Sequence, residues 1–329
     1  MERIKPKKVK YNTVSLFSGI GGFDLGFMYA GFNLIWANDF DKYACITYKE
    51  NVSKNIICGD IRMEKDNIPP HDVLLAGFPC QPFSTLGALK GFEDEERGTL
   101  FFEIKDIIKK NKTKVVVLEN VKNIINHNKG KTFKRIIHEL ESLGYVCFWK
   151  VFNSADYGVP QRRNRCYIIA FRGEFFDIKD FNFPQTKSLN IITQDLLDDD
   201  VPEKYFLSKR IIKTILGNGT KNYIVRPTID LEVSKTLTAT MHKMHRASQD
   251  NYVTDNKNFK KYCGDNKVNI RKLTPNECRK LQGFPSDWVQ VVSDCQAYKQ
   301  FGNAVTVNVS YAVASSIMKY IKENKKNNW

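Results

Sequence analysis

The 329-residue chain has no run approaching the roughly 20 consecutive apolar residues of a membrane-spanning helix. Its basic start, MERIKPKKVK, lacks the apolar stretch that would follow in a secretory signal, so a cytosolic protein is expected. Among eight cysteines and five histidines there is no C-x-x-C pair and no histidine at zinc-ligand spacing. A structural metal and a disulfide framework are therefore not expected. Most of the cysteines read as small buried apolar residues. Internal repeats are absent, and the one biased tail is KENKKNN near the end.

What is present is a core and a positive charge. At 42% hydrophobic residues the chain can fold as one large domain, or one domain carrying a smaller second. The 51 Lys plus Arg against 36 Asp plus Glu give a formal charge of +15. Nucleic acid leads as partner class, because basic side chains on phosphates release condensed counterions.

The first half alternates short apolar runs with helix-period segments, as in a mostly parallel sheet wound with helices on both faces. Expected strands are 14–17, 34–37, 56–58, 73–76, 115–118, 146–152 and 166–171. Leu100, Ile104, Ile107 and Ile108 share one helical face, as do Phe133, Ile136, Ile137 and Leu140. After about residue 183 the rhythm breaks into a loop-rich stretch. Helical signals return at TPNECRKLQGF, where Thr274 can cap a helix begun by Pro275, with Glu277 three residues on. A last amphipathic helix is expected from Asn303.

The first strand runs into FSGIGGFDLG, with Gly19, Gly21 and Gly22 between strand and helix. Such a turn lets a ligand approach the backbone, and an acidic residue about 20 positions on can hold ribose hydroxyls. Asp39 is at that place, and Asp60 in GDI could accept from an adenine amino group. Helix capping is the alternative for both acids. The fourth strand ends in GFPCQPFS, which aims Cys80 at the edge where parallel sheets bind ligands. The polar GALKGFEDEERG that follows suits a flap. LENV brings Glu119 and Asn120 to the same edge, and QRRNR adds Arg162, Arg163 and Arg165.

Together, FSGIGGFDLG, Asn38-Asp39, GFPCQPFS, ENV, QRRNR, RKLTPNECRKLQGFP and QFGNAV resemble the ordered motifs of the DNA cytosine-5-methyltransferase family, in its bacterial restriction-modification form. The resemblance implies an S-adenosylmethionine-dependent α/β fold with a smaller target-recognition domain. It implies residues 1–183 plus 296–329 for catalysis and cofactor, and 184–295 for target recognition and the hinge. Phe17 and Phe40 would flank the adenine, Asp39 take the ribose and Asp60 the adenine amine. Gly19, Gly21, Gly22, Ile61, Gly77, Pro79, Asn303 and Val305 would complete the cofactor set. Cys80 would add to C6 of a flipped-out cytosine, Glu119 hold N3 and the exocyclic amine, and Arg165 bind O2, with Arg163 grouped beside it as catalytic. The partner would be double-stranded DNA, with no metal, in a monomer serving beside a restriction endonuclease that need not bind it.

A zinc cytidine deaminase needs P-C-x-x-C, and Phe83 stands at the second cysteine. A cysteine hydrolase would need a histidine base, and none of the five lies in a matching segment. A tRNA cytosine methyltransferase of the same fold is nearer, but the basic insertion of about 100 residues after Arg172 favours DNA. A catalytically silent DNA-binding module is disfavoured because the cofactor, nucleophile and base-clamp motifs are all intact. Within that insertion, Thr236, Lys243, Arg246 and Gln249 are the candidates to contact DNA.

Overall fold

The computed structural model describes residues 2–6, 8–78, 100–217, 219–220, 223–224, 228–243, 246 and 248–329. Two compact units emerge. One comprises 4–152, 164–185 and 309–329, and the other 1–3, 153–163 and 186–308. This division crosses at 308/309, whereas the motif-based division falls at 183/184 and 295/296.

The first unit is built on a seven-stranded sheet. Its strands are β1 (Lys10–Leu16), β2 (Phe32–Asp39), β3 (Ile56–Cys58), β4 (Val73–Ala76), β5 (Val115–Val121), β6 (Tyr145–Asn153) and, after the two-residue β7 (Gln161–Arg162) of the other unit, β8 (Asn164–Arg172). Their order is β3-β2-β1-β4-β5-β8-β6. β1 pairs in parallel with β2 and β4, as do β2 with β3 and β4 with β5, while β8 runs antiparallel to β5.

Period-two alternation explains how both faces are covered. On one, Val14, Leu16, Leu74, Ala76, Val116, Leu118, Ile168 and Ala170 pack in one cluster with α4 (Leu100–Lys110) and α5 (Lys131–Ser142). The residues between them face α1 (Gly22–Tyr29) and α10 (Val307–Asn324): Phe23 meets Tyr167 edge-on at 5.8 Å, and Tyr320 lies 4.3 Å from Phe171. The two helices meet at Gly26, where a Cβ would fall 2.5 Å from the Tyr311 backbone nitrogen. The last helix thus begins at Val307, and Asn303 instead closes α9 (Asp294–Asn303).

In the second unit β9 (Phe206–Ser208), β13 (Tyr252–Thr254) and β14 (Lys267–Lys272) form an antiparallel sheet. β10 (Gly219–Thr220) and β11 (Tyr223–Ile224) make a two-residue ladder, and β12 (Ser234–Lys235) pairs in parallel with β7. The helices α6 (Lys209–Ile215), α7 (Asn256–Tyr262) and α8 (Pro275–Leu281) accompany them, and α9 belongs to the same unit. At α8 the capping box forms as expected: Thr274 accepts from the Glu277 amide and the Glu277 carboxylate accepts from the Thr274 amide. That carboxylate also pairs with the fully buried Arg271, whose Nε donates to Asp255, the cap of α7. One buried guanidinium therefore ties β14 to two helix starts.

Candidate active site

β1 ends in a turn of unusual backbone. Phe17 and Gly19 are left-handed, each with φ 55°, and Gly21 has φ 84° as the residue before α1. Glycine tolerates that region freely, whereas Phe17 is held in it against its preference. The two glycines serve different ends. A Cβ on Gly21 would meet Val52 Cγ2 at 2.8 Å and Tyr48 Cε2 at 3.0 Å, so packing requires that glycine. A Cβ on Gly19 would meet no atom of the described residues within 4 Å, so among them the space above it is open.

Asp39, the last residue of β2, braces this turn. Its Oδ2 accepts from Gly19 N at 2.7 Å and its Oδ1 from Asp41 N at 2.8 Å. Burial raises its carboxyl above the ordinary range, and the amides oppose that rise. Asp41, not Asp39, caps α2 (Lys42–Asn51). Phe40, beside it, is 78% exposed, while Phe17 packs partly buried against the core.

Asp60 follows the capping alternative. It caps α3 (Ile61–Glu64) by accepting from the Arg62 amide, and the Arg62 guanidinium grips both carboxylate oxygens, holding the acid below its usual range. Ile61 is buried behind it.

Beneath the turn lies a carboxyl that sequence reasoning passed over. Asp24 on α1 is fully buried, and its Oδ1 accepts from Ser15 Oγ at 2.5 Å. Ser18 Oγ in turn donates to Ser15. Burial pushes Asp24 up to about 6, opposed by the Ser15 and Tyr48 hydroxyls and aided by the Asp39 charge. An acid in the first turn of a helix reads as an ordinary N-terminal carboxylate; its place on the inward face of α1 is the available clue.

The antiparallel β8 decides the chemistry at the next strands. At this edge the parallel strands β1, β2, β4 and β5 all end, and β8 begins there. Val121 pairs with Arg165 and Glu119 with Tyr167, so Glu119 and Arg165 are diagonal neighbours on one face. Arg165 Nε lies 3.1 Å from Glu119 Oε1, with only 18% and 10% of the two side chains exposed. Next to Glu119, Asn120 Nδ2 donates to the carbonyl of Phe78 at 2.9 Å. Gly77 and Phe78 follow β4 and precede Cys80 in sequence, so Asn120 anchors the backbone two residues before Cys80. Cys80, Pro79 and the polar stretch 87–98 lie outside the described residues.

In the second unit Arg163 departs from the catalytic role expected of it. Its guanidinium is buried and donates to three backbone carbonyls, those of Leu237, Gly302 and Ala304. Thr236 Oγ donates to the Arg162 carbonyl. Arg246 pairs with Asp250 at 3.0 Å and donates to Thr238 Oγ1, while Lys243 and Gln249 are exposed. Asn303 is exposed at the end of α9, and Val305 is buried just beyond it.

The profile of the family described as C-5 cytosine-specific DNA methylase matches residues 11–319. The chain belongs to that family. This methylase is 37% identical to the Type II methyltransferase M.DsaV of Dactylococcopsis salina, over 97% of its own length and 88% of that protein. It is 36% identical to the Type II methyltransferase M.HhaI of Haemophilus parahaemolyticus, over 96% and 97% of the two chains. Among solved structures, the Dnmt2 methyltransferase of S. pombe superposes with a TM-score of 0.72 at 17% identity, covering 94% of this chain and 99% of that one. That likeness establishes the α/β methyltransferase fold. The activity of this methylase is methylation of DNA cytosine at C5.

The structure of this methylase brings Phe17, Gly19, Gly21, Gly22, Asp39, Phe40, Asp60, Ile61, Gly77, Glu119 and Arg165 into one unit. Thr236, Lys243, Arg246, Gln249, Arg163, Asn303 and Val305 fall in the other. Among the described residues no group of three or more His, Cys, Asp or Glu could hold a metal ion, and no helix is long and apolar enough to cross a membrane.

Proposed function

We propose that this methylase takes its methyl group from S-adenosylmethionine and attacks cytosine covalently through Cys80, aided by Glu119 and Arg165. The observation that carries the reading is the Glu119–Arg165 pair, two hydrogen-bonding side chains on adjacent strands at the edge that Cys80 follows in sequence. The open approach over Gly19, the oriented carboxylate of Asp39 and the exposed ring of Phe40 fit the nucleoside part of the cofactor. When bound, the cofactor supplies an electrophilic methyl on a sulfonium. Asp39 would hold the ribose and Phe40 the adenine. Asp60 could accept from the adenine amine once Arg62 yields one of its contacts.

The residue types follow from the substrate. Cytosine C5 is a poor nucleophile, and thiolate addition at C6 turns the ring into an enamine that can attack a methyl group. Glu119 hydrogen-bonds N3 and accepts from the exocyclic amine, stabilising charge as it develops, while Arg165 binds O2. Loss of the C5 proton to a base then lets the C6–sulfur bond break, which frees Cys80. Because C6 is inaccessible in a stacked duplex, the base must flip out at a cost of a few kcal/mol.

Residues 184–295 are the proposed target-recognition region, and Asn303 and Val305 are assigned to the cofactor through the QFGNAV motif. The identity to Type II methyltransferases supports protection of host DNA by a monomer that works beside a restriction endonuclease. Labelled methyl incorporation into duplex DNA and bulk tRNA tests the reading: incorporation into DNA is expected, and incorporation into tRNA alone would overturn it.

A further inference from the structure

We infer that Arg163 is a positioning residue, whose buried guanidinium pins the backbone at Leu237 to the C-terminal end of α9 at 302–304 and so fixes the start of the segment that reads DNA. The inference rests on the recognition role proposed for residues 236–249. Nη1 donates to Leu237 O at 2.9 Å, and Nη2 donates to Gly302 O at 3.1 Å and to Ala304 O at 2.7 Å. A planar fork can serve carbonyls from two separate chain segments at once, which a lysine ammonium cannot do with the same geometry.

Other contacts converge on the same stretch. Gln161 Oε1 accepts from Leu237 N at 3.0 Å, and its Nε2 donates to Leu281 O at 3.0 Å. Gln282 Nε2 donates to the carbonyls of Phe301 and Ala304. Gly302 presses its bare backbone against the segment: a Cβ there would stand 2.2 Å from Thr238 C and 2.3 Å from Ala239 N. Elsewhere the stretch borders a cleft lined by Thr236, Thr238, Gln249, Lys272 and Tyr298. Packing alone therefore does not hold it in register; the buried polar contacts do. Arg165, two residues on, has its own anchor in Glu119 and belongs to the other unit. Loss of the pin should accordingly affect recognition and spare the chemical step.

The test uses the full-length enzyme, duplexes carrying its mapped target site, and single-base variants of that site. Arg163→Lys and Gly302→Ala perturb the same contact from opposite sides. Each should raise the KM for DNA by about tenfold or more and narrow discrimination against the variant sites by a similar factor, with kcat within about threefold. A kcat loss beyond about 100-fold at unchanged KM in Arg163→Lys would place the guanidinium on the reacting base and overturn the inference. Unchanged KM and discrimination in Gly302→Ala would overturn it even if Arg163→Lys failed to fold. Lys243→Ala and Gln249→Ala leave the pin intact and must also weaken DNA binding. If they do not, the recognition reading falls and takes the inference with it.

Discussion

Arg165 reaches Glu119 because β8 runs against β5, which brings the first residues of one strand to the last residues of the other. Were β8 parallel to β5, its opening residues would lie at the opposite edge, a strand length from the end of β4. The pair also holds each partner's rotamer before substrate arrives, which lowers the reorganisation needed at the reacting base.

Glu119→Gln keeps an oxygen to accept from Arg165 but cannot share a proton with N3. Its single-turnover rate should fall by about 100-fold or more, with DNA affinity held within about twofold. A rate near that of the native enzyme would remove Glu119 from the chemistry.

Gly19→Ala separates ligand approach from folding. Among the described residues an added methyl group at Gly19 meets no atom within 4 Å, so stability should fall only by about 1 kcal/mol, the cost of a left-handed non-glycine residue. The KM for S-adenosylmethionine should rise by about tenfold or more while the KM for DNA holds. A cofactor KM unchanged in this variant would show that the ligand does not pass over that backbone.

Asp24 carries a pH dependence whose sign is set by its burial. Its folded value, raised to about 6 from 3.8, lies above that of the unfolded chain. The native state therefore holds the extra proton between those values, and stability is lost as pH rises through that window. The loss, on the order of 3 kcal/mol, is complete above the folded value. Asp24→Asn keeps an acceptor for Ser15 without the charge. Urea midpoints at pH 5 and 7.5 should differ less in the variant than in the native protein, and an equal difference in both would place the titration elsewhere.

Much of this arrangement was legible in the residues, for physical reasons that also explain the gaps. Apolar runs mark strands because the central strands of a sheet covered on both faces bury nearly every position, and all seven expected strands occur in the sheet. Periodicity carries no direction, so the reversal of β8 was invisible. In QRRNR, Arg163 and Arg165 are chemically identical, and their roles diverge only because one side chain enters a bed of carbonyls and the other meets Glu119. Asp24 and Asn120 sat inside recognised motifs without a role, because a buried hydrogen bond has no sequence period. The helix expected from Asn303 begins four residues later because Asn303 ends a helix of its own.

Covalent attack by Cys80 is open to a trapping experiment with 5-fluorocytosine DNA. Fluorine at C5 blocks the final elimination, so an enzyme that adds a thiolate at C6 stays bonded to the base. The native protein should form an adduct stable to denaturation, and Cys80→Ser should bind cofactor and DNA normally yet form none. An adduct trapped in Cys80→Ser would show that the nucleophile is another residue.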